Sequence, residues 1–272
     1  MVLEVAPNDP FIMCPDNDFD IYVVLDPTVK VKNKKVYSFP RPLEKIDFEL
    51  PVIYNEIPVI GTFGFSTKGK GFEKVVEAVN KEFEKAIIKI NIPYGDFVPK
   101  SEEYAKFLGN NCKQLAKDGI EVIVTHDFLS KNELIKWCAS NTLNCFLYDR
   151  NMPGLAATTD QAIVSGRPLS VSDNNTFRHI TAYLPPYPKF SLIDSIEKSI
   201  PVIKQIQNDW QSENFMKKFD EVITQHKNGI IKNKFGVQLV YQLPEKKNNL
   251  LNTLKSRIRK YKHRFKKNII GL

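Results

Sequence analysis

The sequence predicts an α/β protein built on a doubly wound, parallel, Rossmann-like sheet. Two observations carry this. Between residues 55 and 182 five short apolar strands alternate with helical patterns across brief breaks. A cluster of glycines sits where the first strand passes into the first helix. Ile57–Gly64 reads as the first strand, and Phe72, Val75, Val76, Val79 and Phe83 then recur at helical spacing. Ile88, Ile90 and Ile92 alternate as a second strand. Tyr104, Phe107, Leu108 and Leu115 mark a helix, and Ile120–Val124 a third strand. Ser130 with Glu133 makes a capping box for a helix carrying Leu134, Ile135, Trp137 and Cys138. Cys145–Tyr148 is the fourth strand. Thr158 with Gln161 is a second candidate cap, for a helix that stops at Gly166, and Leu169–Ser172 is the fifth strand. Crossovers in such sheets are right-handed, and ligands sit at the C-terminal strand ends, in the loops after Phe63, Ile92, Val124, Tyr148 and Ser172.

The rest of the chain does not join this alternation. Residues 1–50 are rich in Pro, Asn and Asp, with short strands at Ile21–Leu25 and Lys35–Phe39. After a Pro-rich stretch at Leu184–Lys189, residues 191–227 read as helical. The expected division is 1–50 as a remnant of another domain with its linker, 51–185 as the Rossmann-like domain, 186–245 as C-terminal helices and 246–272 as a basic tail.

Composition narrows the class. The 272 residues are 42% hydrophobic and 26% charged, which excludes disordered, collagen-like and coiled-coil chains. The formal charge of +8 is not evenly spread: ten Lys or Arg and no acid lie from Lys246 onward. The remaining 29 basic and 31 acidic residues leave a nearly neutral body, so a nucleic-acid-binding body is not expected. No apolar run reaches the ~18 residues of a membrane span, and the first ten residues lack a signal-peptide pattern. Cys14, Cys112, Cys138 and Cys145 show no CxxC spacing and read as buried thiols of a reduced, cytoplasmic protein. Asp16-Asn-Asp18-Phe-Asp20 lacks the glycine and distal glutamate of a calcium loop, so no metal site is expected there.

Four of the twelve glycines fall in Gly61–Gly71, in a strand-to-helix turn that also holds Lys68 and Lys70. Glycine lets a ligand approach the backbone, the helix start offers free N–H groups, and a lysine adds charge, so the loop suits phosphate. Its alternative is a flexible turn with solvated lysines. Gly64–Lys70 has the GxxxxGK spacing of a P-loop, but Gly71 stands where Ser or Thr would hold magnesium. A P-loop hydrolase is therefore the least favoured reading.

Strand, Gly-rich turn ending in Lys-Gly, then amphipathic helix resembles the start of the donor-binding domain of the group 1 glycosyltransferases of the GT-B fold. His126-Asp-Phe-Leu-Ser130 with Glu133-Leu134 is similar to the family's loop and helix beside the nucleobase. Tyr148-Asp-Arg150 ends a strand where donor-contacting loops occur. Gly154 to Pro168, with Ser165-Gly-Arg-Pro168, resembles the segment that carries the family's paired glutamates. Ser172-Asp173 with Phe177-Arg178-His179 closes the match over residues 55–182. The resemblance implies the C-terminal half of a GT-B fold with extra C-terminal helices. It also implies transfer of a sugar from a nucleoside-diphosphate sugar to a hydroxyl of a glycan or lipid-linked acceptor, with retention as the family tendency, and neither a metal nor a cofactor.

The resemblance makes Lys70 and Asp160 the expected catalytic residues. Gly64, Phe65, Ser66, Lys68, Gly69, Phe128, Leu129, Arg150, Gly154 and Gln161 are the expected donor-binding set. Lys70 would meet the diphosphate. Asp160 would accept both hydroxyls of a ribose, with Gln161 as a neutral substitute. The match departs from the family in three places: its usual arginine after the first strand is missing, with Thr62 and Phe65 at the candidate positions. Its second glutamate falls on Gln161 and its first near Pro153.

Only one doubly wound domain is visible. Tyr37–Pro42 resembles the segment that crosses between GT-B domains, and 191–227 the helices that pack back over the cleft. The chain is thus expected to be a glycosyltransferase or its donor-binding half, with a separate first-domain subunit as a partner. The alternative is a non-catalytic nucleotide-sugar-binding or partner subunit. In the tail, Leu250, Leu254, Ile258, Tyr261, Phe265 and Ile269 recur every three or four residues with Lys and Arg opposite. That pattern suits an anionic membrane surface through 250–269; packing on its own domain and RNA binding are the alternatives.

Overall fold

A computed structural model describes residues 2–3, 19–30, 35–52, 55–96, 99–150 and 152–227. Cys14, Asp16, Asp18 and the basic tail at 246–272 lie outside the described residues.

Five strands form the central sheet: β4 (Val59–Phe63), β5 (Ala86–Asn91), β6 (Ile120–Thr125), β7 (Leu143–Phe146) and β8 (Leu169–Val171). All pairings are parallel, in the order β6-β5-β4-β7-β8. The chain builds outward from β4 through β5 to β6, then returns to the other side of β4 to lay down β7 and β8. β4 and β7 therefore flank a topological switch point, where the outgoing loops diverge and leave a crevice. Every residue of β4 and β7 is buried, as continuous apolar central strands require, whereas β6 alternates as an edge does.

Helices cover both faces. On one face α1 (Phe72–Glu82), α2 (Ser101–Leu115) and α6 (Leu192–Lys198) pack on Ile60, Ile88, Ile90 and Leu143. On the other, α3 (Lys131–Ala139), α4 (Thr158–Val164), α5 (Arg178–Thr181) and α7 (Ile200–Asp209) pack on Phe63, Phe146 and Val171. In α1 the buried positions Phe72, Val75, Val76 and Val79 fall one turn apart, so a single stripe carries its burial, at ~1.5–3 kcal/mol for each large side chain.

The expected capping box at Ser130 forms: Ser130 N–H donates to Glu133 at 2.8 Å, and Glu133 N–H to Ser130 Oγ at 3.4 Å. The one expected at Thr158 does not. Ala157 is the N-cap of α4 and makes no side-chain cap. Thr158 is already helical, and its hydroxyl lies 3.0 Å from that of Tyr148 instead. Cys112, Cys138 and Cys145 are buried, and burial pushes all three thiols up, Cys112 to about 12.

The N-terminal region builds a small parallel sheet of its own from β1 (Val2–Leu3), β2 (Tyr22–Val24) and β3 (Val36–Ser38). α8 (Ser212–Lys227) packs on it through Val222, against Val23 and Phe39. Asp26, just past β2, is fully buried. It accepts from Arg178 Nε at 2.8 Å and from the Thr28 hydroxyl and amide at 2.6 and 2.9 Å. That carboxylate is saturated, which makes Arg178 a structural tie between the small sheet and α5. Among the described residues no helix is long and apolar enough to cross a membrane.

Candidate functional site

The crevice at the β4/β7 switch point opens into a cavity of about 550 Å³. Its walls come from the loop after β4, the end of β5, the loop after β6, the start of α3, the loop after β7 and α4. Eight of the expected residues line it: Gly64 and Phe65 with Lys70, Phe128 with Leu129, and Arg150, Gly154 and Gln161. Loops distant in sequence meet here because parallel strands deliver all their C-terminal ends to one edge.

Lys70 and Arg150 bring two cations to this cavity, both against the Tyr148 ring. Lys70 Nζ is 4.4 Å from the ring centroid and Arg150 Cζ is 5.6 Å from it. Lys70 donates to the Tyr148 hydroxyl at 2.8 Å, so that hydroxyl in turn can donate to Thr158 Oγ1 at 3.0 Å. Burial, with the Arg150 guanidinium adding to it, pulls the Lys70 ammonium down to about 7. Burial likewise raises the Tyr148 phenol to about 12. Arg150 Nη1 donates to Thr67 at 3.2 Å, while its buried Nε makes no hydrogen bond. The backbone N–H groups of Asp149 and Arg150 donate to Gly69 O at 3.0 and 3.2 Å, stitching this loop to the glycine turn. Asp149 is taken up by Lys74, on α1.

Glycine is favoured at Gly64 by its backbone conformation and required at Gly71 by close approach. A Cβ on Gly64 would stand 3.1 Å from Lys70 Nζ, at a φ of +147°. A Cβ on Gly71 would stand 1.8 Å from the Leu147 carbonyl oxygen. The position that carries a magnesium-binding hydroxyl in a P-loop therefore has no room for a side chain, which removes the P-loop reading. Among the described residues no group of three or more His, Cys, Asp or Glu could hold a metal ion.

The opposite wall is apolar. Phe128, 77% exposed, stands at the cavity beside Phe65, with ring centroids 6.2 Å apart, and Leu134 and Ala156 lie along the wall. The Phe128 loop is held by Asn91, a residue the strand pattern did not single out. Asn91 is buried, accepts from Thr125 Oγ1 at 3.0 Å and Asp127 N–H at 3.1 Å, and donates to Asp127 O at 3.1 Å. Its signal in the sequence is an amide closing the strand AIIKIN.

Four expected residues do not line the cavity. Asp160 is paired with Arg41 at 2.7 Å, and Gln161 takes the cavity-facing position. The reason is helical: neighbours in α4 point about 100° apart, so the face that gives Thr158 and Gln161 to the cavity turns Asp160 aside. Ser66 is buried, with its hydroxyl 3.0 Å from Ser101 O and from Ser101 Oγ. Lys68 is exposed, and Gly69 faces the Arg150 backbone. His179 is buried as well. Thr159 donates its hydroxyl hydrogen to Ala156 O at 2.8 Å, so His179 Nε2 donates to Thr159 at 3.0 Å. Burial, then Arg41 and Arg178, hold its imidazole well below the usual range.

No protein-family model matches the chain, and no curated protein matches it by sequence. Solved structures match its fold. A glycosyltransferase from Rickettsia africae gives a TM-score of 0.57 at 13% identity, over 85% of this chain and 70% of that one. A sucrose-phosphate synthase from Thermosynechococcus elongatus gives 0.56 at 12% identity, over 77% of this chain and 59% of that one. A trehalose-6-phosphate structure from E. coli, bound with UDP-2-fluoro glucose, gives 0.54 at 13%, over 83% and 67%. The fold is thus that of the GT-B glycosyltransferases. The chain spans about three fifths of the length of the synthase.

Proposed function

We propose that the chain binds a nucleoside-diphosphate sugar in this cavity and serves as the donor-binding half of a glycosyltransferase. The observation that carries the reading is the convergence of Lys70 and Arg150 on one ring at the switch point of a GT-B sheet, beside an apolar wall. The two cations neutralise the diphosphate. The base lies along Phe128, Leu129 and Leu134, and the Gln161 amide meets a ribose hydroxyl. Phe65, Gly64 and Gly154 shape the passage between.

The chemistry follows from the charges. As the bond from the anomeric carbon to the diphosphate breaks, its electron pair moves to a phosphate oxygen. A protonated Lys70 and the Arg150 guanidinium stabilise that developing charge from partly buried positions. An acceptor hydroxyl, from a glycan or lipid-linked sugar, forms the new bond from the open side of the cavity and gives its proton to the departing phosphate oxygen. That side is where a first-domain partner would dock, and the basic tail would bring the chain to an anionic membrane surface on the cytoplasmic side. These assignments leave charge neutralisation to side chains alone, without a metal or cofactor.

A second reading is favoured by one observation. Among the described residues that line the cavity the one carboxylate is the exposed Asp127, and Asp160 is paired with Arg41. A site without a buried carboxylate suits a subunit that holds a nucleotide sugar and leaves transfer to its partner.

A thermal-shift screen of nucleoside diphosphates and their sugars on the full chain tests the main reading. Stabilisation by a diphosphate, lost in Lys70→Ala, supports it, and no stabilisation by any of them overturns it. Release of nucleoside diphosphate from the best sugar donor then separates enzyme from binding subunit.

A further inference from the structure

Resting on the donor-site reading, we propose that Arg41 is a positioning residue of the cavity, acting through Asp160 to fix the rotation of α4. Arg41 lies outside the doubly wound unit, in the extended segment that leaves the small N-terminal sheet. That segment straps the outer side of the two helices that wall the cavity. Glu44 pairs with Lys131, at the start of α3, at 3.2 Å, and Phe48 lies under the Lys136 ammonium at 4.6 Å. Arg167, just beyond α4, donates to Pro51 O at 3.2 Å. Arg41 holds Asp160 itself, at 2.7 Å, with both side chains 16% exposed.

The geometry of α4 makes this contact consequential. The helix is seven residues long, with no side-chain cap at its start. Thr159, Ala162 and Ile163 fasten it to the core, and Thr158 and Gln161 face the cavity. Asp160 sits between those two faces. A pull on its carboxylate therefore sets how far Thr158 and Gln161 turn toward a ligand. Thr158 ends the hydrogen-bonded series from Lys70 through Tyr148, so the same rotation reaches the cation site. In a short helix without a side-chain cap, tertiary contacts fix the orientation: the core holds Thr159, Ala162 and Ile163, and the Arg41–Asp160 pair adds a tie on the remaining side. The strap thus makes the affinity of the cavity depend on the N-terminal region.

Isothermal titration of the full chain with UDP and the other nucleoside diphosphates tests this, using wild type, Arg41→Ala, Asp160→Asn, the double variant and the swap Arg41→Asp/Asp160→Arg. Each single variant should weaken binding about tenfold, and the double variant should be no weaker than either single, because both remove one interaction. The swap should recover part of the loss. A readout free of ligand is amide exchange, which should quicken within Thr158–Val164 in Arg41→Ala. Wild-type binding with unchanged affinity in folded Arg41→Ala and Asp160→Asn overturns the positioning role and leaves the donor reading intact. Additive losses in the double variant overturn it as well. If wild type binds none of the diphosphates, the donor reading falls and this proposal falls with it.

Discussion

Lys70 donates from Nζ to the hydroxyl of Tyr148 at 2.8 Å while lying over the same ring, 4.4 Å from its centre. One aromatic side chain just beyond β7 thus orients the ammonium by its oxygen and holds it by its face. The contact joins the two loops that diverge at the switch point, and the behaviour of the cavity follows from it.

Replacing Lys70 separates function from stability. In Lys70→Met the buried charge and its desolvation are gone, while the stem that packs against Gly64 remains. The melting temperature without ligand should equal or exceed that of wild type, and affinity for a nucleoside diphosphate should fall about ten- to hundredfold. Melting curves and titration calorimetry on one preparation check both halves.

Tyr148→Phe keeps the ring and removes the oxygen. Lys70 then loses its acceptor and Thr158 a partner, and diphosphate affinity should fall about three- to tenfold, less than in Lys70→Met. Equal losses in the two variants would show that the ring alone does not hold the ammonium.

The pH dependence has two opposite signs. An anionic ligand favours charged Lys70, whose value in the empty site is about 7. Affinity should be greatest below that pH and decline above it, by at most about tenfold per unit, with proton uptake on binding. Without ligand, Lys70 titrates lower in the folded chain, at about 7, than the 10.5 of an ordinary lysine. The unfolded chain therefore holds more protons across that window, and this contribution to stability rises with pH through it. Titrations in buffers of different ionisation enthalpy, with melting curves of wild type against Lys70→Met, check both signs.

Asn91→Leu tests the support of the Phe128 loop. The change leaves the Asp127 N–H and the Thr125 hydroxyl without their acceptor, at ~1–3 kcal/mol for each group that stays dry. The urea midpoint should drop, and the amide of Asp127 should lose exchange protection more than those of α1. Uniform loss across both would show that Asn91 supports the whole sheet.

Much of this was legible in the sequence because it depends on local pattern. Alternating strands and the stripe of α1 mark apolar faces that must be covered, and Ser130 with Glu133 marks the start of α3. The glycine turn and Lys70 could be found because close approach at a strand end leaves glycine as its trace. What stayed hidden depends on rotation and on distant partners. Nothing local says whether Asp160 or Gln161 faces the cavity; Arg41, more than a hundred residues away, takes the carboxylate. Ser66 reads as a donor-binding residue because its partner Ser101 lies on another element. Tyr148 reads as the last apolar residue of a strand until Lys70 is placed over it.

The most direct test of the central claim is a calorimetric titration of the full chain with a series of nucleoside diphosphates, repeated on Lys70→Met. At least one diphosphate should bind wild type with a stoichiometry of one and with proton uptake above pH 7, and bind the variant at least about tenfold more weakly. Binding of equal strength to both proteins, or no binding to wild type, would contradict the assignment of this cavity to the diphosphate.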